Sequence, residues 1–288
     1  MRPPTNRPGT PGPLHLLVLV AAGLLAALYL AWRTLAAVDF LYPVLYEPAG
    51  IGAHIDLYGP KNRYKRGFAE TTRAEREALF SEIARSIRNH GRGLESLTYH
   101  DRNGRELGVL LRSPEIIHLR DVATLVHRLE ISGLMALAVL AFHVVFLRRR
   151  GLRLPGAGRM FFLTTGAVLL SAALVLVSGP RRVFYALHEQ VFPPDNQWFF
   201  FYQDSLMSTL MKAPVLFGYI AAALVALALF GVFVLAIPFL GGFENIIGIL
   251  IIGFGLYQAW QINRQQPLEI EGPFQVGKSP PPVQHAAT

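Results

Sequence analysis

Four long apolar blocks alternate along the chain with stretches of mixed polarity. A helix needs about 20 residues to cross a hydrocarbon core about 30 Å thick. The blocks therefore predict transmembrane helices over 14–38, 129–147, 160–178 and 214–240. The first block is too long for a cleaved signal core and lacks a small-x-small site before Asp39, so an uncleaved anchor is expected, preceded by a Pro-rich disordered cytoplasmic tail, 1–13. A shorter apolar run, 246–262, follows the fourth block after Gly241-Gly-Phe-Glu-Asn245. It reads either as a fifth span or as an interfacial helix, and the side on which the tail 263–288 lies depends on which.

Residues 39–128 are polar enough to form a small extramembrane domain. From Thr72 to Arg92, Leu79, Ile83, Ser86 and Ile87 share one helical face. The turn signal Asp101-Arg-Asn-Gly104 separates the short runs Leu97–Tyr99 and Leu107–Leu111, predicting a hairpin. The fold class expected is thus a mainly α, polytopic membrane protein with a small extracytoplasmic α+β domain between its first two spans.

Charge sets the orientation. Arg148, Arg149, Arg150, Arg153 and Arg159 crowd the short segment 148–159 and mark it cytoplasmic. Counting outward places the amino terminus inside and both 39–128 and the loop 179–213 outside. The fourteen Lys and Arg of 39–128 do not reverse this, because long segments escape the charge rule.

At 52% hydrophobic and 16% charged, the chain holds more apolar residues than one soluble core needs. Its net charge of +8 suits topology and anionic headgroups, and no nucleic-acid partner is expected. The absence of cysteine excludes disulfides, thiolate nucleophiles and thiolate metal sites. Neither a Gly-x-Ser-x-Gly elbow nor a Walker-type loop occurs. His127 and His143 lie roughly 24 Å apart along one helix, too far to share an ion. No metal or cofactor is expected.

The residues that remain able to do chemistry sit in the two outer segments. Between Phe184 and Tyr202 there are eight aromatics, including Trp198-Phe-Phe-Phe-Tyr202, a density that belongs at a headgroup boundary. His188-Glu189 lies among them at the end of the third span or in a short interfacial helix. Adjacent helical residues do not face each other, so Asp195, Asp204 or an acid from the other segment is the better partner for His188. Before the second span stands Ser113-Pro-Glu-Ile-Ile-His118-Leu-Arg-Asp121-Val, where His118 and Asp121 are spaced i, i+3. On a helix they share a face, and the carboxylate can hold the imidazole in one tautomer. Each histidine flanks a span on the same side, which points to acid–base chemistry beside lipid. The competing reading is a non-enzymatic scaffold or assembly factor whose outer domain binds a partner.

Glu115-Ile-Ile-His118-Leu-Arg-Asp121-Val, together with His188-Glu189, Phe192, Trp198 and Asp204-Ser205-Leu206, resembles a family of bacterial integral membrane proteins that includes the lipoprotein intramolecular transacylases. The resemblance runs over roughly 14–238. It implies an inner-membrane enzyme that moves the sn-2 acyl chain of a lipoprotein's diacylglycerol to the α-amino group of its own amino-terminal cysteine. The partners implied are an acylated lipoprotein and the lipid bilayer. His118 and His188 are implied to be essential, with Arg120, Glu189, Phe192, Trp198 and Asp204 supporting or contacting substrate.

Overall fold

The structure, a computed structural model, describes residues 9–236. The start of the amino-terminal tail, the end of the fourth predicted span, the run 246–262 and the tail 263–288 lie outside the described residues. The described chain is mostly helical: α1 (Pro13–Ala37), α2 (Tyr42–Leu45), α3 (Ile51–Tyr58), α4 (Arg73–Arg88), the strands β1 (Thr98–His100) and β2 (Glu106–Val109), then α5 (Ser113–Arg149), α6 (Ala157–Ser178), α7 (Pro180–Val191), α8 (Leu206–Met211) and α9 (Val215–Ala236).

Four of these, α1, α5, α6 and α9, contain stretches long and apolar enough to cross a membrane. At 37 residues, α5 is about 55 Å long against a core of about 30 Å, so its amino-terminal turns extend beyond its apolar stretch. The predicted second span and the polar motif before it are one continuous helix. Glu115 in its first turn and Arg148 and Arg149 in its last complement the helix dipole.

The chain divides into two compact units. One holds the apolar helices. Ala27 and Ala31 of α1 bury against Ala228 and Val232 of α9, with Leu28, Leu224 and Leu227 around them. Apolar side chains gain nothing by leaving lipid for each other, so small residues that let backbones approach supply the contact. On α5, Gly133 has the same use: a Cβ there would lie 2.5 Å from the Tyr29 side chain. Arg33 and Glu130 pair at 3.3 Å in this unit. His143 meets His15 of α1, Nε2 to Nδ1 at 3.3 Å.

The other unit comprises Asp39–His127 and Tyr185–Tyr219. Thr72 caps α4 by accepting from the Glu75 amide, and Leu79 and Ile83 on the predicted face are buried. Tyr42 stacks on Phe80 at 4.1 Å and donates to the Leu210 carbonyl at 2.9 Å, tying α2 to both α4 and α8. The buried Arg76 donates to Thr71 Oγ1, the Tyr46 hydroxyl and the Ala69 carbonyl, which compensates the cost of burying its charge. The hairpin forms where the turn signal placed it. Asp101 Oδ1 accepts from the amides of Asn103 and Arg105, and Gly104 takes a φ of 76°. β1 and β2 pair antiparallel, Thr98 opposite Val109, with a bulge between Tyr99 and His100.

Candidate active site

The segment that carries His118 is organised by Glu115, which is fully buried. Its Oε2 accepts from the Arg112 amide at 2.7 Å, closing one half of a capping box at the start of α5. Its Oε1 accepts from the Ser205 hydroxyl at 2.5 Å, and Ser205 Oγ accepts in turn from the Ser208 amide, capping α8. One carboxylate thus fastens the helix start bearing His118 to the segment that follows the aromatic run. Burial raises its pKa against the opposing pull of Ser205, the Arg112 amide and the Arg112 guanidinium 3.6 Å away. Glu115 stands in the motif that carries the family resemblance, but nothing in its local sequence reveals a partner ninety residues away.

His188 lies on α7, a helix separated from α6 at Gly179, whose φ of 87° breaks the ladder. Phe192, one turn on, has its amide bonded to the His188 carbonyl. The Phe192 ring stands 5.3 Å from the His188 imidazole and 5.0 Å from that of His118, so the two histidines share one aromatic wall. Trp198 lies 5.0 Å from His188, and Phe200 5.8 Å from His118. Phe200, inside the aromatic run, is a contact that the run's uniform composition does not single out.

His118 sits in the part of α5 that precedes its apolar stretch. Burial pushes its pKa down to about 4, the nearby His188 adds to the fall, and the Asp121 charge opposes it. The ring is therefore neutral near pH 7, and its Nδ1 is buried without a hydrogen-bond partner among the described residues.

The expected His118–Asp121 clasp takes a different form. Asp121 Oδ2 accepts from Asn196 Nδ2 at 2.7 Å, so the carboxylate ties the aromatic loop to α5 and reaches His118 through charge. Asn196 carried no signal in the sequence, because its partner is 75 residues away. Asp204 pairs with Arg63 at 3.2 Å, Arg120 pairs with Glu95, and Glu189 and Asp195 are exposed. The structure thus brings His118, His188, Phe192, Trp198 and Asp121 together and gives Asp204 and Arg120 other ion-pair partners. Among the described residues no group of three potential ligands is placed to hold a metal ion.

Apolar helices sized for a bilayer, and two histidines that converge on one ring within the other unit, define a multi-pass membrane protein with a candidate acid–base site. The model of the family "Lipoprotein intramolecular transacylase Lit" matches residues 69–213, half of the chain, and the chain belongs to that family. Membership carries a transacylase role in general terms. Among solved structures, the chain is similar to the membrane-integral lipoprotein intramolecular transacylase Lit from Bacillus cereus, a single-substitution variant solved in meso. The TM-score is 0.52 at 16% identity, covering 88% of this chain and 94% of that one, a likeness of fold. No curated protein matches the sequence.

Proposed function

We propose that the chain transfers the sn-2 acyl chain of a lipoprotein's diacylglycerol to the α-amino group of the same lipoprotein's amino-terminal cysteine, at the extracytoplasmic face of the bacterial inner membrane. The observation that carries the reading is the pair of imidazoles on one phenyl wall, 5.0 and 5.3 Å from its centre, in a member of a transacylase family.

In this reaction the amine nitrogen bonds to the ester carbonyl carbon, the carbon–oxygen bond to glycerol breaks, and the proton lost by nitrogen ends on the glycerol oxygen. A group must take that proton and return it, and another must steady the oxyanion between the two events. His188 takes the first role. His118, held neutral by burial, takes the second as an N–H donor toward the carbonyl oxygen; a ring with a pKa near 4 is a weak base but remains a good neutral donor at pH 7. Asp121, held by Asn196, adds the negative charge that keeps His118 from falling further.

The test is expression of the parent, His118→Ala and His188→Ala beside a defined diacylated lipoprotein, with mass spectrometry of its amino-terminal peptide. The parent converts the peptide to the N-acyl, lyso form, and each variant lowers the rate about 10²–10⁴-fold. An unaltered acylation pattern with the parent overturns the activity. A scaffold role would leave the pattern unaltered while His118→Ala and His188→Ala still disturbed partner binding.

A further inference from the structure

Along Trp198–Tyr202 exposure alternates with a period of two. Phe200 is buried and Trp198 and Tyr202 are half-buried, whereas Phe199 and Phe201 are 45% and 62% exposed. The two exposed rings pack edge to face 5.2 Å apart. α7 is divided in the same way. Tyr185 and His188, with Phe192 just past the helix end, fall on one stripe, and the neighbouring stripe carries Leu187 and Val191, 54% and 45% exposed. Four large apolar side chains point outward on two adjoining segments, the kind of surface that marks a membrane or partner contact.

Chain continuity and charge point to lipid as the cover of this surface. α7 begins at Pro180, two residues after α6 ends at Ser178, and α6 is apolar enough to cross a membrane. A helix tethered so closely begins beside the end of a candidate span. Its first turn carries the exposed Arg181 and Arg182, which suit anionic headgroups, and Glu189 is exposed on the face away from Leu187. An apolar stripe, a polar face and basic residues at one end are the features of a helix lying in the interface plane.

We infer that Leu187, Val191, Phe199 and Phe201 form a rim embedded in the acyl chains of the adjoining leaflet. The histidine stripe then lies alongside lipid, at the depth where glycerol esters reside. The inference rests on the membrane-protein assignment and not on acyl transfer.

Because the chain lacks cysteine, single positions can be spin-labelled without removing others. Leu187→Cys, Val191→Cys, Phe199→Cys and Phe201→Cys, with Glu189→Cys and Asn103→Cys as controls, are labelled and reconstituted in phosphatidylethanolamine–phosphatidylglycerol vesicles. Collision with oxygen should dominate at the four rim positions, and collision with a water-soluble nickel chelate at the two controls. Nickel-dominated collision at the rim overturns the inference. So does low collision with both reagents, which would mean a protein cover. If one ring substitution unfolds the protein, the other decides for the loop, since Phe199 and Phe201 share a face. The readout requires no activity, so loss of the acyl-transfer reading and loss of the rim are separate results.

Discussion

Asn196 and Asp121 give the site its least anticipated contact. The spacing His118-x-x-Asp121 is compatible with a direct clasp, but an i, i+3 pair can satisfy each member elsewhere, and the carboxylate oxygen is taken by an amide from the aromatic loop. Hydrogen bonds to a charged group contribute roughly 1.5–3 kcal/mol. Asn196→Ala should therefore loosen the loop that brings Trp198 and Phe200 to the two imidazoles, raising KM more than it lowers kcat. Steady-state rates on a diacylated lipopeptide check this, and unchanged constants would remove the clamp from the mechanism. Asp121→Asn keeps an acceptor oxygen for Asn196 and deletes the charge. The His118 pKa should fall further, visible as a lower midpoint for its ring protons by nuclear magnetic resonance.

For the elements, two contacts settle how segments distant in the chain come together. Glu115 caps α5 and holds the Ser205 cap of α8 with one buried carboxylate. Glu115→Ala leaves the Arg112 amide and the Ser205 hydroxyl without their acceptor in a dry interior. The cost should be about 3 kcal/mol, seen as a lowered midpoint in thermal unfolding. Glu115→Gln should cost less, since one oxygen can still serve Ser205, while its NH2 would face the Arg112 amide donor. In the apolar unit, Gly133 permits the approach of α5 to Tyr29 on α1. Gly133→Leu should push these helices apart and reduce the yield of folded, detergent-stable protein, whereas Gly23→Leu on α1, where a Cβ meets nothing within 4 Å, should not. Comparing monodisperse yields of the two variants distinguishes close packing from a general intolerance of larger residues.

At the scale of the whole molecule, the two depressed histidines each contribute to how stability depends on pH, while the raised carboxyl of Glu115 contributes in the opposite direction. Burial lowers both His118 and His54 to about 4 from an ordinary 6.5, with Lys212 adding to the fall at His54. Below pH 6.5 the unfolded chain takes up protons at these positions that the folded chain refuses, so the stability these two groups contribute is lost as pH falls from 6.5 toward 4 and is retained above 6.5. His54 packs against Tyr58 at 4.7 Å and Tyr202 at 4.4 Å, contacts that a phenyl ring can keep. His54→Phe should therefore flatten the fall of the unfolding midpoint between pH 6.5 and 4.5 without lowering the midpoint at pH 7.5. An equally steep fall in the variant would place the acid sensitivity elsewhere.

Periodicity and composition by themselves determined the apolar helices, the Thr72-capped helix and the Asp101–Gly104 turn, because each is decided within one or two turns of chain by burial pattern and backbone preference. They also supplied His118 and His188 as candidates. Tertiary structure alone decided that Phe192 stands between those rings, that Asp121 goes to Asn196, and that Glu115 meets Ser205. It alone separated Phe199 and Phe201 from Trp198 and Phe200 in a run of like residues. The reason is physical: local sequence sets which groups need burial or a partner, but contacts spanning 75 or 90 residues depend on which surfaces fold together, and no local pattern encodes that choice.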